Sequence, residues 1–160
     1  MKKLILLLIF IINLYSNQNF TQSQTFILPD DSGYLKEKIR YEILSSRDTI
    51  FLAMYNFSYK SIAKDLIKAS KNGVKITVLL DKEKVESQDE IYNMLKDAKI
   101  NVILADKKMH LKMMLIDKKQ AMIGSLNFTK KSFEDNYEIV YFSKDRSIIN
   151  RLNEFVAKFE

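Results

Sequence analysis

From residue 25 onward, short apolar runs alternate with longer stretches whose apolar positions recur every three or four residues, the two periods that distinguish strands from helices. Thr25–Leu28 reads as a strand closed by Pro29-Asp30-Asp31-Ser32-Gly33, a turn cluster that also offers a cap to a helix reaching about Ser45. Thr49–Met54 is a second apolar strand. Ser58 or Ser61 is placed to cap a helix whose Ile62, Ala63, Leu66, Ile67 and Ala69 share a face up to Asn72-Gly73, and Val74–Leu80 follows as a buried-type strand. Ser87–Lys99 patterns as helix and Asn101–Leu104 as strand; Met109–Ile116 and Ala121–Ile123 form a hairpin across Asp117-Lys118-Lys119-Gln120. Tyr137–Phe142 is a last strand before a helix from about Asp145. This order predicts an α/β fold, a mixed β-sheet sandwiched between helices.

The first residues follow a different pattern. Met1-Lys2-Lys3 precedes an unbroken apolar stretch, Leu4–Ile12, and even Leu4–Tyr15 is shorter than the roughly 20 residues a spanning helix needs. Residues 1–16 therefore read as a secretory signal peptide or an N-terminal anchor, 17–24 as a polar linker, and 25–160 as one domain. The expected location is exported, periplasmic or secreted, or membrane-anchored through an uncleaved N-terminus. With no cysteine, the domain forms no disulfide in any compartment. Formal net charge is +6 for the whole chain and roughly +4 once Lys2 and Lys3 are set aside, a mild excess that suits a polyanionic partner but also serves solubility.

The sole histidine, His110, is the one side chain whose ordinary titration falls near neutral pH. On an extended strand it projects with Lys112, two residues on, while Leu111, Met113 and Leu115 take the other face. The strand is apolar on both faces beyond that pair, which predicts a central position in the sheet. After the hairpin, Ser125 and Asn127 repeat the two-residue spacing, and Gly124 would let backbone approach closely. An imidazole, an ammonium, a hydroxyl and a carboxamide converging at paired strand ends suit a tetrahedral phosphate, with lysine and asparagine donating to its oxygens. Glu138, in Tyr137-Glu138-Ile139-Val140-Tyr141, needs a polar partner among apolar neighbours, for which His110 is the candidate.

The spacing His110-x-Lys112-x4-Asp117-x6-Gly124-Ser125-x-Asn127 resembles the complete HKD signature of the phospholipase D superfamily. Ala53-Met54-Tyr55-Asn56-Phe57 and Gly73-Val74-Lys75-Ile76 extend the likeness, which resembles the small bacterial Nuc-type endonucleases, over about Thr25 to Phe142. The resemblance implies a phospholipase D-like fold with one HKD motif per chain and a catalytic set of His110, Lys112, Ser125, Asn127, Glu138 and Asp117. One histidine attacks phosphorus to give a phosphohistidine and a second protonates the leaving oxygen. His110 would thus be nucleophile in one subunit and general acid in the other, in a site shared across a homodimer, with no metal or other cofactor. The resemblance also implies that a glutamate orients the nucleophile, Glu138 matching better than Glu134. Asp117 would be either a supporting group or a turn residue.

The substrate expected is nucleic acid, DNA first and RNA second, cut by an endonuclease. The lysine pairs Lys107-Lys108, Lys118-Lys119 and Lys130-Lys131 bracket the motif and could follow a phosphate backbone, which makes Lys130 a candidate contact. Tyr55, Phe57, Tyr59 and Phe128 either offer faces to bases or, for Phe57 and Phe128, belong to the core. Two other readings are a phospholipid phosphodiesterase of the cardiolipin type at a membrane and a nucleic-acid-binding module in DNA uptake. A serine hydrolase using Ser125, His110 and Asp117 lacks the usual elbow and leaves Lys112 without a role. A magnesium phosphatase using Asp81, Asp106 and Asp117 matches no defensible metal spacing.

Overall fold

The computed structural model describes residues 23–159. The signal or anchor expected in 1–16 and most of the linker lie outside them, and Gln24, expected as the linker's end, already belongs to the first strand. The elements are β1 (Gln24–Leu28), α1 (Ser32–Ser45), β2 (Thr49–Met54), α2 (Lys60–Lys71), β3 (Lys75–Asp81), α3 (Lys82–Ser87), α4 (Glu90–Asp97), β4 (Asn101–Ala105), β5 (Lys112–Ile116), β6 (Gln120–Gly124), α5 (Lys130–Glu134), β7 (Glu138–Ser143) and α6 (Arg146–Val156). Among the described residues no helix is long and apolar enough to cross a membrane.

The seven strands form one mixed sheet in the order β1-β7-β6-β5-β2-β3-β4. β2, β3 and β4 run parallel, while β5, β6, β7 and β1 join antiparallel, each to its neighbour. Apolar residues of α1 (Leu35, Ile39, Ile43), α2 (Ile62, Leu66) and α4 (Ile91, Leu95) pack on one face. The other face is covered by α6, whose Ile149 and Val156 meet Phe51, Leu79 and Leu115. The expected α/β sandwich is thus the observed fold.

Local departures have local causes. His110 lies in the loop before β5 rather than on the strand, because the ladder with β2 begins only at the Met54↔Lys112 pair. The helix expected over Ser87–Lys99 is the shorter α4, Glu90–Asp97, and a separate helix outside that expectation, α3, begins at Lys82 because Asp81 caps it with its own side chain. Tyr59, not Ser58 or Ser61, occupies the N-cap of α2. The five-residue α5 carries too few turns for periodicity to reveal it.

Asp117 closes the β5–β6 hairpin with φ +50°, a left-handed conformation that aspartate tolerates better than most residues. Its carboxylate gathers the start of β2. Oδ1 accepts from the Ser46 hydroxyl (2.7 Å) and from the N–H groups of Asp48 (2.9 Å) and Thr49 (3.0 Å), and Oδ2 accepts from Arg47 (3.0 Å). Burial pushes its pKa up, but these hydrogen bonds outweigh it and hold the carboxyl below the ordinary aspartate value. From Lys112 to Asp117 is five residues of extended chain, about 17 Å, so Asp117 stands at the opposite end of the sheet from His110. Its expected place in the catalytic set is corrected here to a structural one, and Lys118-Lys119 go with it, away from the motif's other end.

A group whose pKa is lowered by folding contributes stability that is complete at neutral pH and is lost as pH falls below its unfolded value, about 3.9, and through the folded one. Asp117→Ala is expected to cost about 2 kcal/mol at pH 7, partial solvent exposure screening the rest. Urea denaturation at pH 7 and again below pH 3 should show the gap to wild type narrowing in acid.

Candidate active site

The carboxyl ends of β2, β3 and β4 open on the same edge of the sheet as the start of β5 and the end of β6, the place where open α/β sheets present their loops to ligands. Lys112 is the first residue of β5, and its ammonium turns back to His110, 3.1 Å from Nε2 and 2.9 Å from the backbone oxygen. An ammonium only donates, so with Lys112 charged it is Nε2 that accepts in this contact. Burial lowers the Lys112 pKa below the ordinary lysine value, with the Glu138 carboxylate opposing. The Tyr55 ring stands edge-on to the imidazole at 4.5 Å between centroids, with the Lys112 ammonium 5.0 Å from its centre. The Tyr55 N–H donates to Leu111 O (3.0 Å), which ties the loop after β2 to the residue beside His110.

Asn127 is fixed from the same loop. Its Oδ1 accepts from the Asn56 N–H (3.3 Å), which leaves Nδ2 as the free donating end. The next residue locks the arrangement: Phe128 O accepts from Ser58 N–H (2.8 Å) and Tyr59 N–H (2.9 Å). The Phe128 ring is fully buried between Phe57 and Phe133, at 5.5 and 6.2 Å. The expectation that Phe128 might stack on a base is therefore corrected, since a ring with no exposed face packs the core beneath the site.

Ser125 follows β6. Its hydroxyl donates to Glu138 Oε2 in a short hydrogen bond and accepts from the Ile139 N–H (3.1 Å), while Ser125 N–H donates to Ile139 O (3.0 Å). Glu138 Oε1 accepts from Asn136 Nδ2 (3.2 Å). The partner expected for Glu138 within the chain, His110, is not the one it has. Ser125 and Asn136 satisfy its carboxylate, and its link to the cationic side of the site is electrostatic, through Lys112. Gly124 admits the close backbone approach expected of it, and the backbone concerned is that of β7, where a Cβ would collide with the Ile139 carbonyl. Lys130 is solvent-exposed at the start of α5, 3.8 Å from Glu134, and makes no contact with these side chains.

The structure thus brings together His110, Lys112 and Tyr55 on one side, Ser125 and Glu138 on the other, and Asn127 through the loop they share with β2. Two alternative chemistries lose their geometry. Ser125 is bonded to Glu138 rather than His110, so no serine triad forms. Asp81 spends Oδ1 on the Lys84 N–H and Oδ2 on the Met109 N–H, and Asp117 is remote, so the aspartate trio does not assemble. Asp81, weighed in the sequence only as a metal ligand, instead positions the chain beside the site, and an aspartate ending an apolar strand before Lys82-Glu83-Lys84 is the capping signal for that role.

Residues 39–159 match the family model described as "Cardiolipin synthase, PLD-like domain". The chain belongs to this phospholipase D-like family. Among curated relatives it is 30% identical over 139 residues to a protein named phospholipase D from Rickettsia prowazekii, covering 86% of this chain and 68% of that one. It spans 53% to 56% of other Rickettsia proteins that bear the same name. Its fold matches Nuc from Salmonella typhimurium, described as a phospholipase D family member, with TM-score 0.78, 21% identity and coverage of 86% and 93% of the two chains. NucT from Helicobacter pylori gives 0.74, 23%, 86% and 94%.

Two substitutions separate packing from chemistry. Phe128→Ala is expected to lower stability by about 3–5 kcal/mol, readable as an early thermal transition. Gly124→Ala should cost about 1–3 kcal/mol by forcing β6 and β7 apart, and should lower activity in the fraction that remains folded because Ser125 and Glu138 shift with them.

Proposed function

We propose that the protein is a metal-independent phosphodiesterase that cleaves nucleic acid, DNA foremost, through a phosphohistidine, in a site shared by two copies of the chain. The observation that carries this reading is the contact of His110 with Lys112 at the strand ends where Asn127 presents a free amide. The ammonium and the amide are donors suited to the non-bridging oxygens of a phosphodiester as charge builds on them. His110 attacks phosphorus, forming a P–N bond as the P–O bond to the leaving group breaks. The leaving oxygen takes the proton of a second, protonated imidazole. That ring, now neutral, then draws a proton from water, whose oxygen displaces the histidine from phosphorus and restores both rings.

One chain holds one histidine, so the second must come from another copy, and a two-fold axis places a residue beside its own image. An uncovered apolar strip adjoins the site and supports such a pairing: Ile27 is 46% exposed, Ile139 51% and Tyr137 92%. Ile27 and Ile139 are paired across β1 and β7, and Ile139 is bonded to Ser125. Export of the protein, free or anchored, is inferred from the leader-like residues 1–16.

A phospholipid diester is the second reading. The family's description and the Rickettsia relatives' name favour it, and Leu111, 40% exposed next to His110, offers an apolar contact.

The deciding assay incubates the protein in EDTA with single- and double-stranded DNA, RNA and cardiolipin vesicles, with His110→Ala alongside. Nucleic acid should be cut despite the chelator, with a loss of about 10³-fold or more in the variant. Activity that needs a divalent metal or survives the substitution would sink the mechanism, whereas cleavage of cardiolipin alone would favour the lipid reading. The rate on DNA should trace a bell with pH, its limbs belonging to the imidazole pair jointly. By sedimentation the protein should be a dimer, and Ile139→Lys should yield inactive monomers.

A further inference from the structure

α3 places a second lysine at the site. Lys84 is half-buried, with its ammonium 5.2 Å from the centre of the Tyr55 ring, the ring that also carries Lys112 at 5.0 Å and meets His110. The two ammonium groups are therefore no more than about 10 Å apart. Among the described residues no carboxylate pairs with Lys84, whereas its neighbour Lys82 lies 3.8 Å from Glu86. A cation left without an acid, beside another whose burial already disfavours its charge, suits a polyanion rather than a lone monoanion.

The position of Lys84 is set from below. Asp81, 2% exposed at the end of β3, accepts from Lys84 N–H with Oδ1 (3.1 Å) and from Met109 N–H with Oδ2 (2.9 Å). One buried carboxylate thus fixes the first turn of α3 and the residue immediately before His110.

We propose that Lys84 is a second phosphate-binding cation of this site, held in register with His110 by Asp81, and that it grips a phosphate flanking the scissile one on a nucleic-acid strand. The inference rests on the nuclease reading and names the part of the substrate that reading leaves open. Phosphates follow one another about every 3.4 Å along the axis of a duplex strand, so a chain engaged at Lys112 carries further charges within reach of Lys84. Lys107 and Lys108, exposed on the loop before His110, continue the cationic side of the site. A single small diester has nothing to offer Lys84. Tyr55 in this arrangement carries the two ammonium groups on its ring, and Asp81 is a positioning residue.

The test compares the full chain, Lys84→Ala and Lys84→Arg on a single-stranded oligodeoxynucleotide and on bis(p-nitrophenyl) phosphate, which has one diester and no flanking phosphate. Lys84→Ala should lose about tenfold more kcat/KM on the oligonucleotide than on the small diester, chiefly in KM, and its dependence on log salt should be shallower by about 0.7, one phosphate contact on a single strand. Lys84→Arg should restore most of the loss. Lys71→Ala, which removes the same charge at the far end of α2, should leave both substrates alone. Asp81→Asn should raise the oligonucleotide KM and also lower kcat on the small diester, and combined with Lys84→Ala it should add nothing further to KM. Equal losses on the two substrates, or an unchanged salt slope, overturn the assignment of Lys84. A wild-type protein that hydrolyses the small diester but no oligonucleotide overturns the nuclease reading, and the flanking-phosphate role falls with it.

Discussion

A strand buried on both faces has no place for a charge along its length. β5 is such a strand: Met113, Met114, Leu115 and Ile116 are all buried, between β2 and β6 in the sheet and between two helical layers. An ionised group at any of these positions would give up its hydration with no partner in return. Polar residues are therefore driven to the two ends, Lys112 with His110 at one and Asp117 at the other. The ladder then does the placing. Because β5 pairs with both β2 and β6, its polar start is brought beside Tyr55 and Asn56 on one flank and Gly124-Ser125 on the other, without any loop having to reach across the sheet.

The same constraint explains how charge is distributed at the site. Lys112 is partly desolvated, and the Glu138 carboxylate offsets some of that cost from a distance instead of closing an ion pair. Glu138 itself is occupied by the Ser125 hydroxyl and the Asn136 amide. The ammonium, bonded to the imidazole and to the His110 carbonyl, thus keeps a donor for an incoming anion. Had Glu138 and Lys112 formed a direct bridge, the strongest donor of the site would already be satisfied.

Much of this was legible in the sequence because the decisive signals are periodic or short-range. The run Thr49–Met54 was read at its observed limits, since an apolar segment between turn residues has few other solutions. His110 with Lys112, and Ser125 with Asn127, stand out as two-residue spacings at the adjoining ends of two paired strands. What escaped depends on contacts that no local pattern encodes. Phe128 reads equally as a stacking face or a core ring until Phe57 and Phe133 enclose it. Gly124 suggests close approach without saying what approaches, and the answer, Ile139, lies fifteen residues on. Asp81 points to a cap, but its second bond, to Met109, crosses from β3 to a loop 28 residues away.

The signature that marks this chain is consequently a composite of two unrelated duties. His110 and Lys112 meet at the candidate site, while Asp117, inside the same short motif, staples a hairpin to the strand beside it. Under the proposed mechanism, geneticists scoring loss-of-function alleles would meet that division as two phenotypes: lesions at the histidine null in the cold as in the heat, and lesions at the aspartate conditional, rescued by growth at a permissive temperature.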